Sequence, residues 1–345
     1  MSDLVEQGDA EAMAEEAGLV YVTDAQPGIR RRRRGDRFSY RGLDGKAVSK
    51  ATKARIDALV IPPAWSDLWI CPTRNGHLQA TGRDARGRKQ YRYHDTWREI
   101  RDADKFSRLG DFGEALDDLR GQIESDLAQT DDERERVLAL VVRLLDDTLI
   151  RVGNDEYAAT NDSYGLTTLR PDHVDVDGAQ LTLCFVGKSG VEHETTIHDR
   201  KIARLVKRCH ELGGQELFTY RADGGSIARV TSADVNDYLR RHVGPEVTAK
   251  VFRTWGATAV VARALAEAPS ADDQDEAGAD AQVVAAIDQA AEVLRNTRAV
   301  CRQSYVHPVV IDAYRDGSLA DAWSHTRGGA RLDRADRTVL RLLTT

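Results

Sequence analysis

The chain has 345 residues, enough for two ordinary domains, with 41% apolar and 30% charged residues and a formal net charge of −7. Its longest apolar runs fall far short of a membrane span, and the acidic start MSDLVEQGDAEAMAEEAG has neither a cationic head nor an apolar stretch of signal length, so no membrane partner and no secretory signal are expected. Four scattered cysteines (Cys71, Cys184, Cys209, Cys301) form no CxxC pair, so neither a zinc site nor a disulfide framework is suggested, which fits a reducing, cytoplasmic setting.

In chain order, residues 1–17 carry six acids and no Lys or Arg, and read as a short, loosely ordered acidic lead. Residues 18–101 reverse the balance, with 19 Lys+Arg against 8 Asp+Glu, and 102–345 reverse it again, with 30 against 42. A basic segment between acidic neighbours is the footprint of a polyanion partner, the alternative being a solvated basic surface. Over about 18–100 the pattern is strand-rich: YVTD, then RRRRRGDRFSYRG, the turn Asp44-Gly45, and WICPTRNGHLQATG, with a helix near Ser49–Leu59 and the helix-excluding IPPAW at Ile61–Trp65. Arg30–Arg34 read as a strand with arginines on both faces, which leaves their contact with a polyanion open.

From 101 to 345 the pattern is mainly helical. Thr130-Asp-Asp-Glu133 has capping-box spacing, and Val137, Leu140, Val141, Leu144, Leu145 and Thr148 then share a face of a helix ending at Arg151. Residues 172–197 break the run as a three-stranded sheet whose second turn, Gly187–Gly190, carries Lys188 at a hairpin tip. Helices resume near 200–212, 232–242 and 247–266. The acidic, alanine-rich stretch 270–280 reads as a linker, and a helix over 281–295 precedes the segment with Tyr305. The predicted class is α+β, a small strand-rich domain followed by a larger, mainly helical one.

Two groups of residues carry chemistry. In ATGRDARGRKQYRYHDTW, Arg83, Arg86, Arg88, Lys89 and Arg92 interleave with Gln90, Tyr91 and Tyr93. On a strand, Lys89, Tyr91 and Tyr93 face one side and Gln90 and Arg92 the other. Such side chains suit a nucleic-acid groove; the alternative is half-buried tyrosines on an amphipathic hairpin. The second group is spread out: Arg151 in LIRVG, Lys188 in FVGKSG, Lys250 and Arg253 in KVFRTWG, Asn296 in LRNTR, Tyr305 in CRQSYVHP. A tyrosine oxygen can attack a phosphodiester and keep the phosphate covalently bound. Arginine forks meet the charge on the nonbridging oxygens, and a lysine can protonate the leaving oxygen.

In this order and these contexts the residues resemble the active site of type IB DNA topoisomerases of the bacterial and poxvirus-like group, and GRDARGRKQYRY resembles that family's DNA-contacting strand. The resemblance covers roughly residues 19–345. It implies that Arg151 and Arg253 contact the scissile phosphate, that Lys250 assists Arg253, that Lys188 is the general acid and Tyr305 the nucleophile, and that Tyr157 touches DNA. It further implies a monomer whose two lobes close as a clamp around duplex DNA and relax supercoils through a 3′-phosphotyrosyl link, with no metal, cofactor or ATP. One position departs: family members commonly carry histidine where this chain has Asn296, which can donate a hydrogen bond but cannot move a proton. His307 reads as the start of the next helix. Two rival readings are a tyrosine recombinase, opposed by Lys250-Val-Phe-Arg253 in place of His-x-x-Arg, and a DNA-binding module with a dead site, opposed by the intact Arg151, Lys188, Arg253 and Tyr305.

Overall fold

The computed structural model describes residues 10–345 apart from 36, 129–130 and 272–274. The chain divides into two compact units, Met1–Ser107 and Arg108–Thr345.

In the first unit, residues 10–16 form a helix, α1. The loose acidic lead expected there is corrected over these residues: alanine and glutamate are strong helix formers, and Ala14 is fully buried beside Leu19 and Trp97. The strands β1 (Ile29–Arg34), β2 (Arg37–Arg41), β3 (Ser66–Ile70), β4 (Leu78–Arg83) and β5 (Lys89–Tyr93) make one antiparallel sheet in the order β2-β1-β3-β4-β5. The strand expected at YVTD does not form. Val20 makes only an isolated bridge to Gly76, because the next donor, the Val22 N–H, goes to the His77 ring Nδ1 instead of a backbone carbonyl. Helix α2 (Lys50–Ala58) starts at Ser49, whose hydroxyl accepts from the Thr52 N–H, and sets Ile56 against Ile29, Leu68, Ile70 and Ala80. Helix α3 (Asp95–Ser107) closes the unit. Arg31 is a folding residue here. Its guanidinium donates to the carbonyls of Pro62, Pro63 and Trp65 and so holds the IPPAW turn.

The second unit is built around α5 (Glu133–Thr148), packed by α4 (Leu109–Ala128) and α9 (Lys250–Ala266). One apolar face was expected for α5, yet Leu138, Ala139 and Val142 are buried as well, because the helix is central and packed on most of its circumference. Its N-terminus is capped by Asp132, which accepts from the Glu135 N–H; Thr130 of the expected capping box lies outside the described residues. Then follow α6 (Asp155–Asn161), the antiparallel sheet β6 (Val174–Asp177), β7 (Gln180–Val186) and β8 (Glu192–His198), and α7 (Arg200–Leu212). A short hairpin, β9 (Thr219–Arg221) and β10 (Ile227–Arg229), leads into α8 (Ser232–His242). After α9 come α10 (Glu276–Leu294), α11 (Arg298–Ser304), α12 (Pro308–Arg315), α13 (Ser318–Ser324) and α14 (Arg334–Thr344).

The linker expected over 270–280 is corrected at its C-terminal end. Asp275 caps α10 by accepting from the Gly278 N–H, and the alanines propagate a helix that buries Ala279, Val283, Ala286 and Ile287. A buried charged knot ties α4, α5, α9 and α14. Asp146 and Asp336 hold the Arg120 guanidinium, and Asp336 also accepts from the Trp255 indole at 2.7 Å. Both acids on one guanidinium leave little of its charge unpaired, as burial requires. Among the described residues, no helix is long and apolar enough to cross a membrane.

Candidate active site

The cluster around Tyr305 is assembled by one buried arginine. Arg253, on the second turn of α9, is only 3% exposed. One terminal N–H donates to the carbonyl of Leu149 and the other to that of Leu294 at 2.9 Å. Leu149 is the left-handed C-cap of α5 (φ 54°) and Leu294 the last residue of α10, followed by left-handed Arg295 (φ 50°). Arg253 therefore satisfies the orphan carbonyls of two helix ends. Those ends deliver Arg151 and Asn296. The Leu149 side chain lies where Gly256 has no Cβ; a methyl there would come within 2.5 Å of it. Across the site Arg151 Nη2 donates to Asn296 Oδ1 at 2.8 Å.

Tyr305 sits at the C-cap of α11, its N–H bonded to the Cys301 carbonyl at 3.0 Å. Thr258 of α9 fixes the backbone on both sides, donating to the Tyr305 carbonyl at 3.3 Å and accepting from the His307 N–H at 3.0 Å. The Arg253 guanidinium carbon lies 5.1 Å from the tyrosine ring centre. Burial pushes the Tyr305 hydroxyl up, but Arg253, Arg151 and Lys250 outweigh it and hold the phenol below its ordinary value. Burial, and then Arg151, bring Arg253 down to about 10. Two donors of the cluster are buried without a partner among the described residues: Arg253 Nε and Asn296 Nδ2.

The structure thus brings together Arg151, Arg253, Asn296 and Tyr305, with Lys250 exposed at the start of α9 and near enough to act on the phenol. It does not bring Lys188 in. That lysine is exposed at the β7–β8 tip with no hydrogen bond or ion pair among the described residues. His307 caps α12, its ring accepting from the Val309 N–H, as its place in the sequence suggested. Sequence reading missed His193 and Arg295. His193 of β8 is 6% exposed, and burial followed by the charges of Arg151, Arg253 and Arg295 pushes its imidazole down to about 4. The period-2 pattern of the strand contained the signal, since His193 falls on the inward register opposite Phe185.

In the first unit, Lys89, Tyr91 and Tyr93 project from the exposed face of β5, the two rings stacked 5.9 Å apart. Gln90 and Arg92 lie on the other face, with Arg92 over the Trp65 ring. Carboxylates organise the row. Asp84 accepts from the N–H groups of Arg86 and Arg88, from the Arg88 guanidinium and from Gln90 Nε2, and Asp24 pairs with Lys89 at 2.7 Å. Arg83 donates to the Gly87 carbonyl. In the second unit Tyr157 is exposed on α6.

A family model described as the catalytic core of eukaryotic DNA topoisomerase I matches residues 94–325, and one described as the N-terminal domain of bacterial DNA topoisomerase IB matches residues 37–84. The chain is 34% identical over 295 residues to DNA topoisomerase 1B of Acanthamoeba polyphaga mimivirus, covering 84% of this chain and 88% of that protein. It is 22% identical over 279 residues to DNA topoisomerase 1B of Vaccinia virus (strain Copenhagen), covering 78% and 81%. With two family models in sequence order and a relative matched over most of both chains, this chain belongs to the type IB DNA topoisomerases.

Proposed function

We propose that the chain relaxes supercoiled duplex DNA by cutting and resealing one strand at Tyr305, without ATP or metal. The observation that carries this reading is the pair of orphaned donors, Arg253 Nε and Asn296 Nδ2, buried beside a phenol whose ionisation is favoured. A buried donor left unpaired costs about 1–3 kcal/mol, and an anionic phosphate oxygen removes that penalty while supplying a charge-assisted bond.

The Tyr305 hydroxyl gives its proton to solvent, its oxygen attacks phosphorus, the bond to the 5′-oxygen breaks, and Lys188 gives that oxygen its proton. The 3′ end stays joined to Tyr305, so the bond energy is kept and the reverse attack by the 5′-hydroxyl reseals the strand. Arg151, Arg253 and Asn296 meet the charge on the nonbridging oxygens, with Lys250 adding positive potential. Cations in this number do the work that magnesium does in other phosphoryl transfers. Between cleavage and resealing the free end swivels. The exposed Lys89, Tyr91 and Tyr93 of β5, Gln90 and Arg92 behind them, Arg83 and Arg88 beside them, and Tyr157 are the DNA contacts of this reading. The two units close around the duplex as the halves of a monomeric clamp, in the cytoplasm where the nucleoid lies.

Relaxation of supercoiled plasmid in excess chelator with no nucleotide tests the reading. Loss of supercoiled species under those conditions is expected; strict dependence on a divalent cation or ATP would overturn it.

A further inference from the structure

His193 is a buried titratable group near the arginine cluster to which the proposed reaction gives no task. It stands opposite Phe185 in the β7–β8 ladder, and the two rings stack with centroids 4.8 Å apart and planes 5° from parallel. The edge of the imidazole carrying Nε2 lies under Gly187. A Cβ at Gly187 would come within 2.6 Å of both Cδ2 and Nε2. Neither ring nitrogen has a hydrogen-bond partner among the described residues. A mostly buried ring held by stacking on Phe185 and by close packing under Gly187 marks a position where shape is constrained.

The residue after Gly187 is Lys188. The turn above the ring is short and closed, with the Gly187 N–H on the Val191 carbonyl at 2.7 Å and the Gly190 N–H on the Gly187 carbonyl at 3.1 Å. Its base is tied to the arginine side of the site. The Tyr164 N–H bonds the Val186 carbonyl and the Leu166 N–H bonds the Arg151 carbonyl, both at 2.9 Å. Below the tip, then, one rigid strut runs from the Arg151 loop through 164–166 to the end of β7, and the His193 ring is the wedge beneath the tip itself. The ring also has to be neutral there. Burial and the charges of Arg151, Arg253 and Arg295 keep it uncharged at neutral pH, so it fills space without adding a fourth cation.

We propose that His193 is the positioning residue for the general acid: wedged between Phe185 and Gly187, it sets the hairpin tip so that the Lys188 ammonium meets the leaving 5′-oxygen. This rests on Lys188 being the general acid in the reaction proposed above. His193 itself neither donates the proton nor touches the phosphate.

The test compares cleavage of an ordinary duplex with cleavage of one whose 5′-leaving oxygen is replaced by sulfur, which departs without a proton. Misplacing a catalytic group by about 1 Å costs on the order of 10²-fold, so His193→Ala should slow cleavage of the oxygen substrate by about ten- to a hundredfold. On the sulfur substrate it should recover most of the parent rate, as Lys188→Ala does. The pair His193→Ala, Lys188→Ala should be no slower than Lys188→Ala alone. His193→Phe, flat and neutral, should keep the rate within a few-fold of the parent. A mutant that had simply lost its fold would fail on both substrates. If Lys188→Ala recovers on sulfur and His193→Ala does not, the positioning role is overturned while the reaction stands. If Lys188→Ala itself fails to recover, Lys188 is not the general acid and both fall. A loss with Phe as large as with Ala would make a ring nitrogen, rather than the wedge, the active feature and overturn the proposal.

Discussion

Asn296 departs from the histidine that the family resemblance leads one to expect, and its environment divides the work of its two amide atoms. Oδ1 accepts from Arg151 at 2.8 Å, while Nδ2 is buried and has no partner among the described residues. A neutral imidazole has the same two functions, one nitrogen accepting and the other donating. Asn296→His should therefore retain activity, and Asn296→Ala should be slower by about 10²–10³-fold, the usual loss for one oxyanion donor. The amide does not titrate near neutrality, whereas histidine has an unperturbed pKa of about 6.5. Cleavage rates between pH 5 and 8 should show a new titration in Asn296→His that the parent lacks. An Asn296→Ala variant as fast as the parent would remove this side chain from the phosphate. Among the site residues, the short contexts around Arg151, Arg253, Asn296 and Tyr305 were legible in the sequence. His193 was not picked out: the strand's alternation puts it inward opposite Phe185, but its close packing under Gly187 appears only in the fold.

At the level of the elements, two left-handed C-caps do the positioning, and neither is a glycine. Leu149 and Arg295 adopt φ of 54° and 50°. Non-glycine residues enter this region at an energetic cost. Packing and the Arg253 staple hold them there. Gly256→Ala tests the arrangement. Alanine is favoured over glycine in a helix by about 1 kcal/mol, but its methyl would come 2.5 Å from the Leu149 side chain. Overpacking typically costs about 1–3 kcal/mol, so the substitution should lower the melting temperature and slow cleavage together, by displacing the Arg151 loop. A rise in melting temperature with unchanged cleavage would show that Leu149 does not set the loop.

Such caps explain why the geometry of the site was unreadable before the fold: they are imposed by tertiary contact rather than announced by a turn residue. Elements with strong local signals were read closely. The β6–β8 sheet was framed by its turns at Asp177-Gly178 and Gly187–Gly190, and helices were placed near Ser49–Leu59, 200–212 and 232–242, close to α2, α7 and α8. Charge misled twice. Residues 10–16 and the start of α10 were read as loose because they are acidic, although their alanines favour a helix and each buries an apolar face. The β9–β10 hairpin escaped because three residues on each side give too short a pattern to count.

For the whole molecule, a net charge of −7 and a DNA substrate are reconciled by distribution, since residues 18–101 alone carry 19 Lys+Arg against 8 Asp+Glu. Each phosphate neutralised contributes a slope of about −0.9 in log K against log salt. Duplex affinity should therefore fall steeply with salt, and Lys89→Ala should flatten the slope by about one contact. Asp24→Asn should tighten binding modestly at low salt, because it releases Lys89 from its carboxylate partner; the pair is partly exposed, so the gain is small. Filter-binding or fluorescence titrations from low to moderate salt would check both. A slope near zero would mean that the basic sheet is not the docking surface.

The most direct test of the account is covalent capture. The protein is incubated with a duplex whose leaving fragment, the piece that carries the freed 5′-hydroxyl, is short enough to diffuse away, then denatured, digested and analysed by mass spectrometry. One DNA-linked peptide is expected, joined through Tyr305 to the 3′-phosphate of the cut strand, present in excess chelator and absent in Tyr305→Phe, which should still bind duplex. An adduct that persists in Tyr305→Phe, or one joined to the 5′ end of the strand, would contradict it.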